Sequence, residues 1–309
     1  MIVMAKNKSD QKRRIENVLS ALKHDKLAIA SLVFLVIIIA LALLAPILPL
    51  DPNTTDVRNM FQPPSPEHWF GTDDIGRDYL SRVIYGGRVS LLVGFLAMIT
   101  CVCVGVLVGT VSGYCGGWID SILMRIVDII YSVPEILLIV VIKMVISEPL
   151  QNLIDTVPAF HGLQKIGSGL IAIFIVYGCL YWVGMARIVR GQILQLKTLD
   201  FVTAAEALGC GRATMIREHL LPNCIGQLIA TVMLQIPSAI FTEAFLSYLG
   251  IGVSAPMASL GSLTSEALNG ISSYPYRVVF PAVLISLIIL SFNLFGDGLR
   301  DALDPKMKK

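Results

Sequence analysis

Charge is scarce in this chain. Asp, Glu, Lys and Arg make up 15% of 309 residues against 55% apolar residues, a balance that excludes an ordinary soluble domain. The net charge of +2 says little by itself, because the placement of Lys and Arg sets membrane orientation rather than affinity for nucleic acid. Cysteine is also sparse and badly placed for bridging. Cys101, Cys103 and Cys179 fall in apolar runs and Cys115, Cys210 and Cys224 near run ends, with no Cys-x-x-Cys pair, so neither a disulfide framework nor a structural metal site has support. No Gly-Lys dipeptide occurs, which removes the phosphate-cradling G-x-x-x-x-G-K-[ST] loop, and neither H-E-x-x-H nor G-x-S-x-G is present. His24, His68, His161 and His219 are scattered along the chain, and Ser132 with His161 does not form a convincing nucleophile and base for a membrane protease. No catalytic site is expected.

What the chain has in abundance is membrane-length apolar sequence. Its mean hydropathy is +0.74, and the apolar residues come in runs rather than stripes. Six spans of about 20 residues are expected, over Leu27–Leu48, Ser90–Val111, Ile122–Ile146, Ile166–Ile188, Ile225–Leu249 and Val278–Leu299. The fold class is therefore all-α and polytopic. The corresponding organisation is an N-terminal tail (1–26), a first transmembrane helix (27–49), an outer loop (50–88), a core of five further helices (89–299) that includes a cytoplasmic loop at 190–223, and a C-terminal tail (300–309).

Basic residues set the orientation. Lys6, Lys8, Lys12, Arg13, Arg14, Lys23 and Lys26 precede the first span, Arg187, Arg190, Lys197, Arg212 and Arg217 surround the 190–223 loop, and Arg300, Lys306, Lys308 and Lys309 end the chain. The alternate loops carry fewer, which places both termini in the cytoplasm. The first span resembles a signal peptide, with Ala40 and Ala42 as a small-x-small pair, but the apolar run continues past them to Leu50 and reads as an uncleaved anchor.

The stretch from Asp200 to Asn223 reads as a docking element. Asp200 is expected to cap a helix over Phe201–Leu208, Gly209 and Gly211 to break it, and Arg212–Leu221 to form a second helix that stops at Pro222. Ala204, Ala205 and Leu208 are expected on one face, small enough to sit deep in a partner's groove. The bland alternative is an interfacial hairpin covering the end of the bundle.

Gly105, Gly109 and Gly113 form a ridge suited to close helix packing, with no chemistry implied. Pro134, in Tyr131-Ser132-Val133-Pro134, is expected to bend the third span. Ionisable residues within spans are functional candidates. Arg125 and Asp128 are expected to pair with each other, and Lys143 to snorkel outward. Glu135 and Glu243 have no obvious local partner and are read, with Pro134, either as lining a pathway or as interhelical hydrogen-bonding groups.

Three separated blocks carry a resemblance. They are His68-Trp69-Phe70-Gly71-Thr72-Asp73-Asp74-Ile75-Gly76-Arg77-Asp78, the Asp200 to Asn223 stretch, and Phe292-Asn293-Leu294-Phe295-Gly296-Asp297-Gly298-Leu299-Arg300-Asp301-Ala302-Leu303-Asp304-Pro305. Over nearly its whole length the chain resembles the C-type permease subunits of the dipeptide, oligopeptide and nickel ABC importers. The resemblance implies a type I importer permease fold in the bacterial cytoplasmic membrane, working by alternating access. It also implies a second, B-type permease, two ATP-binding subunits and an extracytoplasmic binding protein as partners, with lipid around them and no nucleic acid. ATP and Mg belong on the partner ATPases, and no cofactor is expected on this chain. The middle block resembles the EAA loop, whose coupling helix contacts the ATPase. That assigns this role to Thr203, Ala204, Ala205, Glu206, Leu208, Gly209, Arg212, Leu221 and Pro222. Thr203 replaces the glutamate that names the motif and His219 a usually apolar residue, which removes any salt bridge through that glutamate but leaves the small-residue fit. Asp73, Asp74, Arg77 and Asp78 are the expected binding-protein contacts. Residues 147–165 and Ser272 to Tyr276 resemble oligopeptide-type members, with dipeptide or nickel as alternative cargo. The rival from another class is a secondary transporter working alone, which should show internal repeats; none is seen.

Overall fold

The computed structural model describes residues 22, 25–49, 51–253 and 257–303. The basic residues before Leu22, Lys23, and Lys306 to Lys309 lie outside them. The described residues form helices, turns and one isolated bridge between Thr72 and Asp78. Six helices are long and apolar enough to cross a membrane: Lys26–Leu44, Tyr79–Cys115, Glu135–Thr156, Ser168–Lys197, Arg212–Tyr248 and Tyr276–Leu303.

Helix α1 (Lys26–Leu44) is apolar all round, as a lipid-facing span must be, and starts where the Asp25 carboxylate accepts from the Leu27 and Ala28 amides at 2.9 and 3.1 Å. The second span comprises α2 (Tyr79–Thr100), a π-turn (Cys101–Gly105) and α3 (Val106–Cys115). It begins eleven residues before the expected Ser90. Asp78 caps it through the Ser81 amide, so the outer loop ends at residue 78 rather than 88.

The third span is the main correction. The expected Ile122–Ile146 helix is two helices, α4 (Gly117–Tyr131) and α5 (Glu135–Thr156). Pro134, with ψ 125°, stands outside α5 as its cap instead of bending a continuous helix. It lacks an amide hydrogen and disfavours helical backbone at Val133, so the chain restarts there. Helix α5 also runs through much of the 147–165 stretch before the 3-10 turns of Pro158–Lys165.

The fourth span is α6 (Ser168–Leu180) and α7 (Trp182–Lys197), joined at Tyr181. Helix α8 (Asp200–Ala207) follows. After a one-turn helix (Arg212–Thr214) and a π-turn (Met215–Leu220), α9 (Leu221–Tyr248) completes the fifth span. Helices α10 (Leu260–Leu268) and α11 (Tyr276–Leu303) end the described fold.

The glycine ridge packs as expected. A Cβ at Gly105, Gly109 or Gly113 would stand 2.6, 2.5 or 2.9 Å from atoms of Met185, Ala186 or Ile193 on α7, so only glycine allows this approach. Gly105 closes the π-turn and abuts Trp182, next to the α6–α7 joint. The irregular points of the second and fourth spans therefore lie at one level. Tyr181 at that joint neighbours Glu135, which begins α5, so the break in the third span joins the same level.

Candidate functional site

Helix α8 is anchored on one side and open on the other. Val202 is buried in a cluster with Met185, Val189, Ile193, Met215, Leu220 and Cys224, and Ala205 packs against it. Thr203, Ala204, Glu206 and Leu208 are exposed, with Leu208 88% accessible. Ala204 and Leu208 share the outer face as expected, whereas Ala205, 100° round the helix from Ala204, turns toward the cluster. Asp200 is the first helical residue and makes no capping bond; Leu199 holds the cap position.

Gly209, at φ 79°, ends α8. Its amide donates to the Glu206 carbonyl and the Cys210 amide to that of Ala205, the paired bonds of a Schellman cap. Arg212 is exposed beyond it, and Leu221 and Pro222 are half-buried. Pro222 does not stop a helix. It sits in the first turn of α9 directly after the π-turn, where a missing amide is tolerated, and the Asn223 side chain donates to the His219 carbonyl at 2.6 Å.

The outer segment before α2 is a folded platform. Gly71 and Gly76 both have positive φ, and a Cβ on Gly76 would stand 1.8 Å from the Asp56 carbonyl oxygen. Asp73 is fully buried. Its carboxylate accepts from the Ile75 and Arg77 amides, from Arg77 Nε at 2.6 Å and from Arg82 at 2.9 Å, while Arg82 also reaches Glu266 on α10 at 2.9 Å. Asp73 is thus spent inside the platform and cannot serve as the surface contact expected of it.

Asp78 is similarly engaged. Partial burial pushes its carboxyl up, but bonds from His68, the Ser81 hydroxyl and the Ser81 amide outweigh that and hold it below the usual carboxylate range. Asp74 alone of the three acids is mostly exposed, 3.7 Å from Arg277 and 4.0 Å from Arg77. Tyr276 donates to the Gln62 carbonyl, Tyr79 to that of Arg277, and Phe70 stacks on Phe280. These contacts seat the platform on the start of α11.

Within the membrane helices, Glu243 is wholly enclosed. It accepts from Ser247 at 2.7 Å and Ser90 at 3.1 Å, and so joins α9 to α2; it lines no open surface. Lys143 does not snorkel. It is buried, with Nζ donating to the Gly252 carbonyl. Asp128 pairs with Arg187 at 2.6 Å, not with Arg125, and Arg187 lies 4.2 Å over the Tyr131 ring. Asp120, which the sequence did not single out, holds Arg190 at 2.5 and 2.6 Å and fastens α4 to α7. Pro134 and Glu135 are exposed at the break. No group of three or more potential metal ligands occurs among the described residues.

The family model for the binding-protein-dependent transport system inner membrane component matches residues 105–309. The chain belongs to that family. A second model, the N-terminal TM domain of oligopeptide transport permease C, matches residues 15–64, and with the six apolar helices this makes the chain a multi-pass inner-membrane protein. Among curated relatives it is 42% identical over 288 residues to the oligopeptide transport system permease protein OppC of Bacillus subtilis (strain 168), covering 93% of this chain and 88% of the relative. It is 42% identical over 292 residues, 93% and 84% of the two chains, to the dipeptide transport system permease protein DppC of the same organism. Against OppC of Escherichia coli (strain K12) the identity is 39% over 286 residues, 92% and 88% of the two chains. The resemblance carried by the three sequence blocks is thereby confirmed, and the family accounts for the all-α permease fold.

Proposed function

We propose that this chain is a membrane-spanning subunit of a peptide importer powered by separate ATPase subunits, with both termini in the cytoplasm and oligopeptides as the favoured cargo. The observation that carries the reading is α8: its inner face is locked into the bundle by Val202 while Leu208, Ala204 and Glu206 stand in the open. An exposed apolar residue on a short, rigidly anchored helix suits a docking contact. The match to the N-terminal TM domain of oligopeptide transport permease C supports oligopeptide as cargo, and dipeptide stands as the alternative, since relatives bearing either name are equally identical.

On this reading Thr203, Ala204, Glu206, Leu208, Gly209 and Arg212 face an ATPase subunit, with Ala205, Leu221 and Pro222 supporting them. Asp74 and the rim around it face a binding protein, and the exposed break at Pro134 and Glu135 faces a pathway shared with a second permease. ATP and Mg reside on the ATPases. The test is a tagged purification from solubilised membranes comparing wild type with Gly209→Asp. A second permease and two ATPases should accompany the wild type, and only the ATPases should be lost from the variant. Recovery of this chain alone, under conditions that preserve membrane complexes, would overturn the proposal and favour a secondary transporter.

A further inference from the structure

We propose that the break between α4 and α5 is a binding site for an alkylammonium group, with the Glu135 carboxylate as its anionic partner and Tyr181 as the residue that positions that carboxylate. This rests on the pathway reading above and gives it a ligand.

Four polar side chains are exposed around the break: Asp128, Tyr131 and Ser132 before it and Glu135 after it. Three of them are already occupied. Asp128 holds Arg187, the Tyr131 ring lies under the same guanidinium, and the Ser132 hydroxyl donates to the Ile129 carbonyl at 2.7 Å. Glu135 makes no ion pair among the described residues; its one side-chain neighbour of note is Tyr181. A carboxylate on an exposed face at the broken level of the bundle cannot be left against hydrocarbon, so it faces water or a ligand. A carboxylate with no ion pair among the described residues is matched by a cationic ligand.

Tyr181 supplies the independent sign. It is 2% exposed, and its hydroxyl is enclosed with the Glu135 carboxylate and the Thr242 and Tyr177 hydroxyls as polar neighbours. None of them stands at hydrogen-bonding geometry to it. Buried hydroxyls are rarely left unmatched. A cation that draws the Glu135 carboxylate into one orientation gives this hydroxyl an acceptor, so ligand binding and satisfaction of Tyr181 coincide. Discontinuous helices whose ends face a central cavity are where transporters place charged ligand groups.

Two sources could supply the ammonium group: the amino terminus that an unmodified peptide carries whatever its side chains, or a lysine side chain. The first suits a site that must ignore side-chain identity.

The experiment uses the complete transporter with its partner subunits in nanodiscs, without binding protein. The probes are a tripeptide with a central diazirine residue in three forms: free amino terminus, N-acetylated, and N-acetylated with a lysine. Photolabelling of this chain around residues 131–136 should favour the free form by on the order of tenfold over the acetylated one. Glu135→Gln should remove that preference with ATPase co-purification unchanged, and Tyr181→Phe should weaken it. Labelling restored by lysine supports a general alkylammonium site, and labelling not restored supports one for the amino terminus. Equal labelling of free and acetylated forms, absence of labelling from both, or an equal loss of both in Glu135→Gln overturns the proposal. Glu135→Cys, made without the exposed native cysteines, separates the two readings. If a charged thiol reagent reaches it while photolabelling shows no preference, the ammonium site alone fails; if the reagent does not reach it, the pathway reading fails too.

Discussion

Asp73 and Arg82 lie 2.9 Å apart with their side chains 0% and 6% exposed, and together they join the outer platform to the first turn of α2. Arg82 extends the connection to Glu266 on α10. A buried pair of this kind resists the loss of one partner far more than its net worth suggests, because Arg82 would keep only the half-exposed Glu266 as a counter-charge. Asp73→Ala is expected to destabilise the protein by ~3–5 kcal/mol. Glu67→Ala, at an exposed position of the same segment with no ion pair among the described residues, should stay within about 0.5 kcal/mol. Thermal unfolding of the purified complex distinguishes the two; equal effects would show that the Asp73 network is not holding the platform.

Glycine positions differ sharply in what they tolerate. Gly109→Ala places a Cβ 2.5 Å from the Ala186 carbonyl oxygen, and the resulting overpacking should cost ~1–3 kcal/mol. Gly184→Ala has open space around it and removes a helix-weakening glycine, so it should be neutral or stabilising. Unfolding midpoints of the two variants, measured side by side, check the assignment.

At Gly209 the constraint is backbone conformation rather than space. A Cβ there meets nothing within 4 Å, yet φ is 79°. Gly209→Ala should therefore weaken the α8 cap by ~1–2 kcal/mol without touching any neighbour. Gly209→Asn, which tolerates the left-handed region better, should lose less. Local hydrogen exchange at the Gly209 and Cys210 amides reads this directly.

The short helix α8 and its glycine end were legible in the sequence because their signals are local: two glycines close together, alanines four or fewer residues apart, and charge at the ends. The break in the third span was not, because α4 and α5 are both apolar enough for one hydropathy window to run through Pro134. The burial of Lys143 is hidden from the sequence for another reason. Its acceptor, Gly252, is 109 residues away, and no window on the sequence connects them. Asp73 likewise looked like surface because its burial depends on Arg82 and on Glu266 of a distant helix. The π-turn at Cys101–Gly105 left no trace in composition, since the apolar pattern continues through it. Local chemistry was readable; pairings across the bundle needed the fold.

Acid should loosen the outer platform through Asp78. Its folded carboxyl lies below the ordinary value of about 3.9, so the stabilisation it contributes is present above that value and is lost as pH falls through the folded one. The difference in unfolding temperature between wild type and Asp78→Asn should hold steady from about pH 6 to 5 and shrink below about pH 4. A difference that grows on acidification would contradict the assignment.

The cluster that buries Val202 also contains Met185, Val189 and Ile193 of α7, Met215 at the foot of the fifth span, and Cys101 at the π-turn of the second. The other buried clusters gather α2 with α5, α6 and α9, α1 with α2, α9, α10 and α11, and α4 with α7. A load applied to Leu208 is therefore shared at once by one end of three spans. In the second and fourth spans it meets irregular backbone at Cys101–Gly105 and Tyr181 before it reaches the other end. Mechanically, α8 is fixed to a packed block of three spans, of which the second and fourth are irregular at one level while the fifth, through α9, runs on unbroken.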